Sequence, residues 1–328
     1  TALVLPRWGL NALGQVQLAQ AAFLLVAGLV VLASLLRCRP GAYFGYDGAR
    51  FRELLKFGGG MQLGAIPTLL FDPLIRVLLT TYSGLTLTGY FEMANRIVTR
   101  FYVIAIAPLG ALTPHVASAS LDGSGEREEV RKIYGESFSL LLFLQLPYYA
   151  CLAAAMALVL TLWKGQFDHL FLAVALLQLL GAFAKSLAVP AYMIYLGTGR
   201  LRWNILSQFV TCLLGLVLGV GLGELFGGNG VLVAACLALG GGLQICLAAL
   251  HREYRIPLRE LLSARAAPGA LLLAAALAAS TLLALSGSTP GWWVMLGLPG
   301  LVGLAALAIV WRDPRRAALL ASLSSLRK

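Results

Sequence analysis

Residues 71–100 have the sequence FDPLIRVLLTTYSGLTLTGYFEMANRIVTR, in which two long apolar stretches carry ionisable side chains. Only the uncharged turn 80–89 separates the stretches, and the charged residues are Asp72, Arg76, Glu92, Arg96 and Arg100. Each stretch is long enough to cross a bilayer, where a charge near the centre costs roughly 2.5–3.5 kcal/mol and usually faces a protein interior or a water-filled path. The segment therefore predicts a membrane protein with a polar interior.

The whole chain has the composition of a polytopic helical membrane protein. Of its 328 residues, 59% are hydrophobic and only 12% are charged, and the mean hydropathy is +0.84. A spanning helix needs about 20 mainly apolar residues to cross about 30 Å of hydrocarbon. We predict an all-α fold with about nine transmembrane helices, at 16–36, 57–80, 88–117, 135–162, 169–197, 203–226, 229–250, 268–286 and 291–311.

The net charge of +11 indicates membrane topology rather than nucleic-acid binding. If the nine helices alternate from an outside start, one set of loops and the C-terminal tail hold nearly all of the basic residues. The opposite loops hold only Lys164, with Arg7 near the start of the chain. This asymmetry follows the positive-inside rule and predicts a C-terminus in the cytoplasm.

The sequence contains no pattern that indicates catalysis, a cofactor or a metal site. The three histidines are scattered without metal-ligand spacing, and there is no Walker loop, haem signature or nucleophile motif. The five cysteines give no disulfide framework. The loops predicted on the outer face are short, whereas chemistry on a sugar at that face would need more protein there. We therefore predict a transporter without cofactors rather than an enzyme.

Opposite charges in residues 71–100 are spaced to face each other across a helical hairpin. With Gly84 at the centre of the turn, residues whose numbers add up to about 168 lie at equal depth. Arg76 then faces Glu92 and Asp72 faces Arg96, about 6 and 12 Å below the outer end. Buried ions persist when they are paired, so the four charges predict a ladder of two ion pairs. The ladder is either structural or also a gate or coupling site.

Two further cations have no partner at their depth. Arg100 lies one turn deeper than Arg96, about 18 Å from the outer end, and Lys185 lies near the middle of the fifth predicted helix. An anionic substrate, a carboxylate elsewhere in the protein or a side chain that snorkels to the interface would each accommodate them. Arginine suits phosphate because its planar fork donates two parallel hydrogen bonds, with lysine as a point charge.

Several short motifs between about residues 50 and 250 share the pattern of a known transporter family. They are LLKFG (54–58), FD (71–72), SG (83–84), GYFEMANRI (89–97), PAY (190–192) and LGTGR (196–200). Together they resemble the oligosaccharide flippases of bacterial polysaccharide export, which belong to the multidrug/oligosaccharidyl-lipid/polysaccharide exporter superfamily.

The resemblance implies two six-helix lobes that face each other across a central cavity, with two accessory helices at the C-terminal end. On this mapping, residues 1–50 are the last helix of a truncated first lobe and its cytoplasmic linker, and 51–250 are the complete second lobe. Residues 251–328 are a cytoplasmic loop, the accessory pair and a basic tail. We expect upstream helices, or another chain, to complete the cavity.

The resemblance also implies translocation of a polyprenyl-pyrophosphate-linked oligosaccharide across the bacterial inner membrane by alternating access, for export of lipopolysaccharide or exopolysaccharide. The implied partners are this substrate, membrane lipids and polysaccharide polymerase machinery. Prolines inside the predicted helices are either hinges for this motion or static kinks. The anionic headgroup would bind to Arg76, Arg96, Arg100 and Lys185, while the gate or coupling residues would be Asp72 and Glu92.

Two other functions compete with this one. A cation-coupled multidrug exporter of the same superfamily would share the fold, but it would favour an acidic cavity, and the surplus charge here is basic. A membrane-embedded polysaccharide polymerase or ligase would need a sizeable outer loop with catalytic residues, and the sequence shows none.

Overall fold

The protein is almost entirely helical in the residues that the computed structural model describes, which are 5–36, 48–111, 113, 116, 126–256, 266–286 and 289–312. A short 3-10 helix, Ala107–Ala111, follows α2, and the α-helices are α1 (Leu5–Leu36), α2 (Gly48–Ile106), α3 (Glu126–Lys164), α4 (His169–Leu187), α5 (Val189–Gly197), α6 (Arg202–Gly242), α7 (Gln244–Tyr254), α8 (Ala267–Leu285) and α9 (Trp292–Arg312). No strand occurs among these residues. The all-α prediction is confirmed.

Seven helical runs in the described part of the chain are long and apolar enough to cross a membrane. Two of them, Gly48–Gly110 and Arg202–Tyr254, have about twice the length that one crossing requires. Each contains a glycine with a positive φ at which the helix is interrupted, Gly84 (φ 76°) in α2 and Gly227 (φ 63°) in α6. Because the chain reverses at both glycines, the described residues divide into nine segments of a length and composition that can cross a membrane, which agrees with the polytopic prediction.

Contacts across each glycine establish the two reversals. On either side of Gly84, the hydroxyl oxygens of Thr80 and Thr88 are 3.1 Å apart. Beyond Gly227, Gly230 lies so close to Leu222 that an added Cβ would be 1.9 Å from the Leu222 carbonyl oxygen. Glycine adopts a positive φ without the steric cost that other residues incur, so both turns are helical hairpins centred on glycine.

The two hairpin turns meet at one face of the membrane. The backbone N–H of Gly228 donates a hydrogen bond to Ser83 Oγ at 2.7 Å. Below this contact, α2 packs closely on the first limb of α6 through glycines spaced four residues apart. A Cβ added to them would come within 2.6–2.7 Å of a side chain of α2, the pairs being Gly215 with Phe71, Gly219 with Leu78 and Gly223 with Tyr82.

The last two helices cover α3. Both α8 and α9 pack against it, Gly269 fits against Leu146, and Ser280 Oγ donates to the Ala153 carbonyl at 2.8 Å. This packing belongs to the larger of two compact units, Phe57–Lys328; the smaller, Thr1–Lys56, contains α1. The domain boundaries 1–50, 51–250 and 251–328 stay predictions.

Two predicted helices are interrupted near proline. The predicted span 88–117 leaves α-geometry after Ile106, and Pro108 lies in the following 3-10 turn. The predicted span 169–197 breaks at Ala188, so Pro190 falls in the first turn of α5 instead of a helix interior. Proline has no backbone N–H to donate to a carbonyl one turn earlier, so a helical hydrogen bond is missing at both breaks.

Candidate functional site

The hairpin centred on Gly84 brings Arg76 and Glu92 together within the membrane. The Arg76 Nε donates to Glu92 Oε1, and the side chains are 42% and 27% exposed, respectively. These two residues lie at equal distances in sequence from Gly84, as the predicted ladder requires. The structure therefore contains the Arg76–Glu92 pair of that ladder.

The second predicted pair, Asp72 with Arg96, is wrong. Asn95 takes the place of Arg96, because its Nδ2 donates to Asp72 Oδ2 at 3.3 Å. Successive helical residues point about 100° apart, so Asn95 and Arg96 lie on opposite sides of the line through Glu92. Asn95 turns towards the protein interior and Arg96 is exposed.

Arg96 and Arg100 are the uncompensated charges of this region. Both are exposed, and no carboxylate of a described residue lies within ion-pair distance of either. They lie one turn apart on α2 and border an open groove of about 740 Å³. Its polar lining consists of Asp72, Arg76, Glu92, Asn95, Arg96, Thr99 and Arg100.

A second, more enclosed cavity of about 230 Å³ adjoins this groove. Asp72, Asn95 and Thr99 line both spaces. Aromatic side chains form part of the cavity wall, and its other polar lining residues are Thr68, Gln178, Lys185, Gln208 and Thr211. The groove and the cavity are therefore neighbouring parts of one polar region.

Lys185 belongs to the cavity and does not line the groove. Its Nζ lies 5.0 Å from the centre of the Tyr102 ring, a cation–π contact. Asp72 lines the same cavity, so a carboxylate from another helix accompanies the lysine that has no acidic neighbour in its own helix. The structure thus separates Lys185 from Arg96 and Arg100, which the sequence analysis had grouped with it.

Asn95, Thr99 and Tyr102 line this polar region but are not among the site residues predicted from the sequence. Thr99 Oγ1 donates to Asn95 Oδ1 at 3.3 Å, one helical turn away. The signal was present in the spacing, since Glu92, Asn95 and Thr99 recur at intervals of three and four residues and so share one helix face. Gln178 is held by a 3.0 Å hydrogen bond to the Phe91 carbonyl.

We predict that Glu92→Gln destabilises the protein by about 1–2 kcal/mol, between the values for exposed and buried ion pairs. The reason is that Arg76 would remain within the membrane without its partner. The double variant Arg76→Gln/Glu92→Gln should recover most of the loss, and a double-mutant cycle of unfolding in detergent measures both. A double variant no more stable than Glu92→Gln would contradict this explanation.

A separate polar cluster fixes the α3–α4 turn against α2. The Tyr90 hydroxyl donates to Asp168 Oδ2 at 2.6 Å, and Lys164 donates to the same oxygen and to the Tyr90 hydroxyl. Asp168 also caps α4 by accepting from the Phe171 N–H at 3.1 Å. Burial raises the pKa of Asp168, but the hydrogen bonds from Lys164, Tyr90 and Phe171 outweigh it and hold the pKa at about 2.

The pKa of Asp168 predicts a loss of stability in acid. The folded-state pKa lies below the unfolded value of about 3.9, so the contribution is present above that value and is lost as the pH falls from about 4 towards 2. We expect Asp168→Asn to lower the melting temperature at pH 7 and to remove this part of the pH dependence. Melting temperatures of the native protein and of Asp168→Asn, measured in detergent from pH 7 to pH 2, test this prediction. It would be refuted if the melting temperatures of the two proteins changed in parallel with pH.

The described residues contain no cluster of three or more His, Cys, Asp or Glu side chains that could hold a metal ion. Two arginines that can donate paired hydrogen bonds to an anion lie next to a cavity lined by amides, hydroxyls and aromatic rings.

Fold and site define a multi-pass, all-α membrane protein with a charged groove within its spans. The model of a family described as polysaccharide biosynthesis protein matches residues 2–170, just over half of the chain. The chain belongs to this family. The matched residues include the motifs between 54 and 97, whereas those at 190–200 lie beyond them.

Among solved structures, the chain is similar to the lipid II flippase MurJ in an inward closed conformation, with a TM-score of 0.51 and 16% identity. The similarity covers 95% of this chain and 64% of the flippase, so the chain spans less than two thirds of that protein's length. No curated protein matches the sequence. The likeness concerns the fold, and with the family match it confirms the resemblance indicated by the motifs.

Proposed function

We propose that the protein translocates a polyprenyl-pyrophosphate-linked oligosaccharide across the bacterial inner membrane for export of cell-surface polysaccharide. The observation that carries this proposal is the pair Arg96 and Arg100. Both arginines border an open groove within the membrane spans, and no described carboxylate neutralises them. Membership of the polysaccharide biosynthesis family and the MurJ-like fold support the same function.

The groove suits a pyrophosphate headgroup. Guanidinium groups one turn apart can each donate two parallel hydrogen bonds to phosphate oxygens. Arg76 is less available, because Glu92 already accepts a hydrogen bond from it. In this proposal Arg96 and Arg100 therefore bind the headgroup directly, and Arg76 adds its charge only if the ion pair with Glu92 opens.

In this proposal Asp72 and Lys185 have distinct parts in the transport cycle. Lys185 adds a positive charge beside the groove without lining it, and Asp72 borders both spaces. Opening of the Arg76–Glu92 pair would act as the gate, and protonation or ion binding at Asp72 would couple to transport. Alternating access would then move residues 51–250, the second lobe, with Pro67 and Pro73 inside α2 as candidate hinges.

The distribution of basic residues supports a cytoplasmic C-terminus. The first limb of α6, residues 202–226, is long enough to span about 37 Å, which separates Arg202 from the hairpin turns. Arg200, close to Arg202 in the sequence, donates to Glu253 at 2.7 Å. This hydrogen bond brings the neighbours of Glu253, Arg252 and Arg255, to the same end. By the positive-inside rule this end faces the cytoplasm.

Reconstitution of the protein in vesicles tests the proposal. A fluorescent polyprenyl-pyrophosphate glycan placed in one leaflet should become accessible in the other leaflet only in vesicles that contain the protein. Export of a cationic dye without glycan movement would instead support a multidrug exporter. Hydrolysis or polymerisation of the glycan would support an enzyme. Either of the latter results would overturn the flippase proposal.

A further inference from the structure

A groove of about 600 Å³ lies where α6 begins and α7 ends. It is distant from the hairpin turns at Gly84 and Gly227, because the first limb of α6 lies between them. The wall is apolar, with Trp203, Ile245, Ala248 and Ala249, and the mouth is charged, with Arg252 and Glu253. This combination of an apolar trough and a charged mouth at a membrane boundary matches the two parts of a phospholipid.

The charge at the mouth of the groove is positive. Glu253 is already engaged, because it accepts hydrogen bonds from Arg200 at 2.7 Å and from the Tyr195 hydroxyl at 3.0 Å. Arg252 is exposed, and no described residue forms a hydrogen bond or ion pair with it. Arg202 stands over the Trp203 ring at 5.4 Å. Arg252 lines the groove and Arg202 contacts its Trp203 wall, and neither guanidinium group is paired with a carboxylate of a described residue.

We propose that this groove binds an anionic phospholipid of the bilayer. The lipid phosphate would bind Arg252 and Arg202, and an acyl chain would lie along Ile245, Ala248 and Ala249. Trp203 is at the depth where amphipathic rings favour the membrane interface. Basic pockets between transmembrane helices attract anionic headgroups in this way. The site is separate from the groove at Arg96 and Arg100, so the inference does not depend on the transport substrate.

The positive charge at the mouth of the groove favours an anionic headgroup. The apolar walls of the groove favour a bilayer lipid over a soluble anion. A zwitterionic headgroup would bring an ammonium group close to Arg252 and Arg202, which costs free energy. A soluble phosphate would leave the apolar trough uncovered. An anionic phospholipid satisfies both parts of the groove without any rearrangement of the ion pair between Arg200 and Glu253.

Native mass spectrometry of the whole protein tests this site. The protein would be released from nanodiscs that contain equal amounts of phosphatidylglycerol and phosphatidylethanolamine with identical acyl chains, and the retained lipids counted. We expect preferential retention of phosphatidylglycerol. Arg252→Gln should lower that retention about fivefold, the effect of one basic residue near an anionic membrane surface, whereas Arg252→Lys should largely preserve it.

Lys132→Gln is the matched control. Lys132 is exposed near the start of α3, and the Tyr134–His251 hydrogen bond of 2.8 Å places this start at the same end of the molecule as α7. The control removes the same charge outside the groove and should leave retention unchanged. Ala248→Trp is a second variant that keeps every charge but fills the trough, and we expect it to expel the lipid.

Four results would overturn the inference. One is equal retention of the two lipids by the native protein. Another is an equal loss in Lys132→Gln and Arg252→Gln, which would indicate a diffuse charge effect. The third is displacement of phosphatidylglycerol by polyprenyl pyrophosphate but not by added phosphatidylglycerol, which would make the groove a substrate site. The fourth is retention of phosphatidylglycerol by folded Ala248→Trp, and this result would decide against the lipid site even if Arg252→Gln does not fold.

Discussion

Replacement of both Arg96 and Arg100 by glutamine is expected to reduce glycan translocation by about 100-fold or more. Each charge-assisted hydrogen bond to the headgroup contributes about 1.5–3 kcal/mol, and the loss of two such contacts corresponds to that factor. Neither arginine pairs with a described carboxylate, so their removal breaks no ion pair. The measurement is the rate of leaflet exchange of a fluorescent polyprenyl-pyrophosphate glycan in vesicles with equal amounts of folded protein.

Two further variants make the result specific. Arg96→Lys/Arg100→Lys keeps both charges but loses the planar fork, so it should fall between the native protein and the glutamine variant. Lys132→Gln removes an exposed basic residue near the start of α3 that does not line the groove, and this variant should transport at the native rate. Native transport by the folded glutamine variant would exclude these two arginines as the headgroup site.

Gly230→Ala should be the most destabilising single methyl addition in the second hairpin. Its Cβ would lie 1.9 Å from the Leu222 carbonyl oxygen and 2.5 Å from the carbonyl carbon. Because these atoms belong to the backbone, no side-chain rotation relieves the clash, and the limbs of α6 must separate. We expect a loss of about 3 kcal/mol or more, the upper range for overpacked cores, together with a sharp drop in folded yield.

Gly221→Ala is the control for this effect. It makes the same chemical change in the same helix, but a Cβ added to Gly221 has no heavy atom within 4 Å. Alanine is the better helix former, so this variant should equal or exceed the native protein by up to about 1 kcal/mol. Thermal unfolding of both variants in detergent makes the comparison. Similar melting temperatures would mean that the α6 limbs do not pack as described.

The arrangement of the first hairpin could be predicted from sequence because depth in a membrane depends only on residue count. Gly84 marks the turn, and equal offsets from it place Arg76 opposite Glu92. The direction in which a side chain points around the helix axis could not be predicted in the same way. A shift of one residue changes depth by 1.5 Å but direction by about 100°, so the sequence could not decide whether Asn95 or Arg96 would face Asp72.

The environment of Lys185 shows the same limit over longer distances. The sequence gives its depth in the fifth predicted span, but its neighbours come from helices far away in the chain. Asp72 and Tyr102 both belong to α2, and only the packing of α4 against the other helices determines that they share a cavity with Lys185. Sequence alone therefore grouped all the basic residues of the spans, whereas the fold divides them between a groove and a cavity.

In the proposed mechanism, the groove and the cavity hold different ligands. Arg96 and Arg100 border the open space that a bulky lipid-linked substrate could enter. Asp72 borders both spaces and accepts a hydrogen bond from Asn95, so a change at Asp72 can affect the groove through the same helix. A substrate in the groove and an ion or proton in the cavity would then act on adjacent residues of one hairpin.

The most direct measurement is the affinity of the purified protein for polyprenyl pyrophosphate compared with polyprenyl alcohol of the same chain length. The two ligands differ only in the group that the arginines are proposed to bind. We predict that the pyrophosphate binds about 100-fold more tightly, and that Arg96→Gln/Arg100→Gln removes this preference while the alcohol binds as before. Equal affinities for the two ligands, or a preference that persists in the variant, would contradict a pyrophosphate site at Arg96 and Arg100.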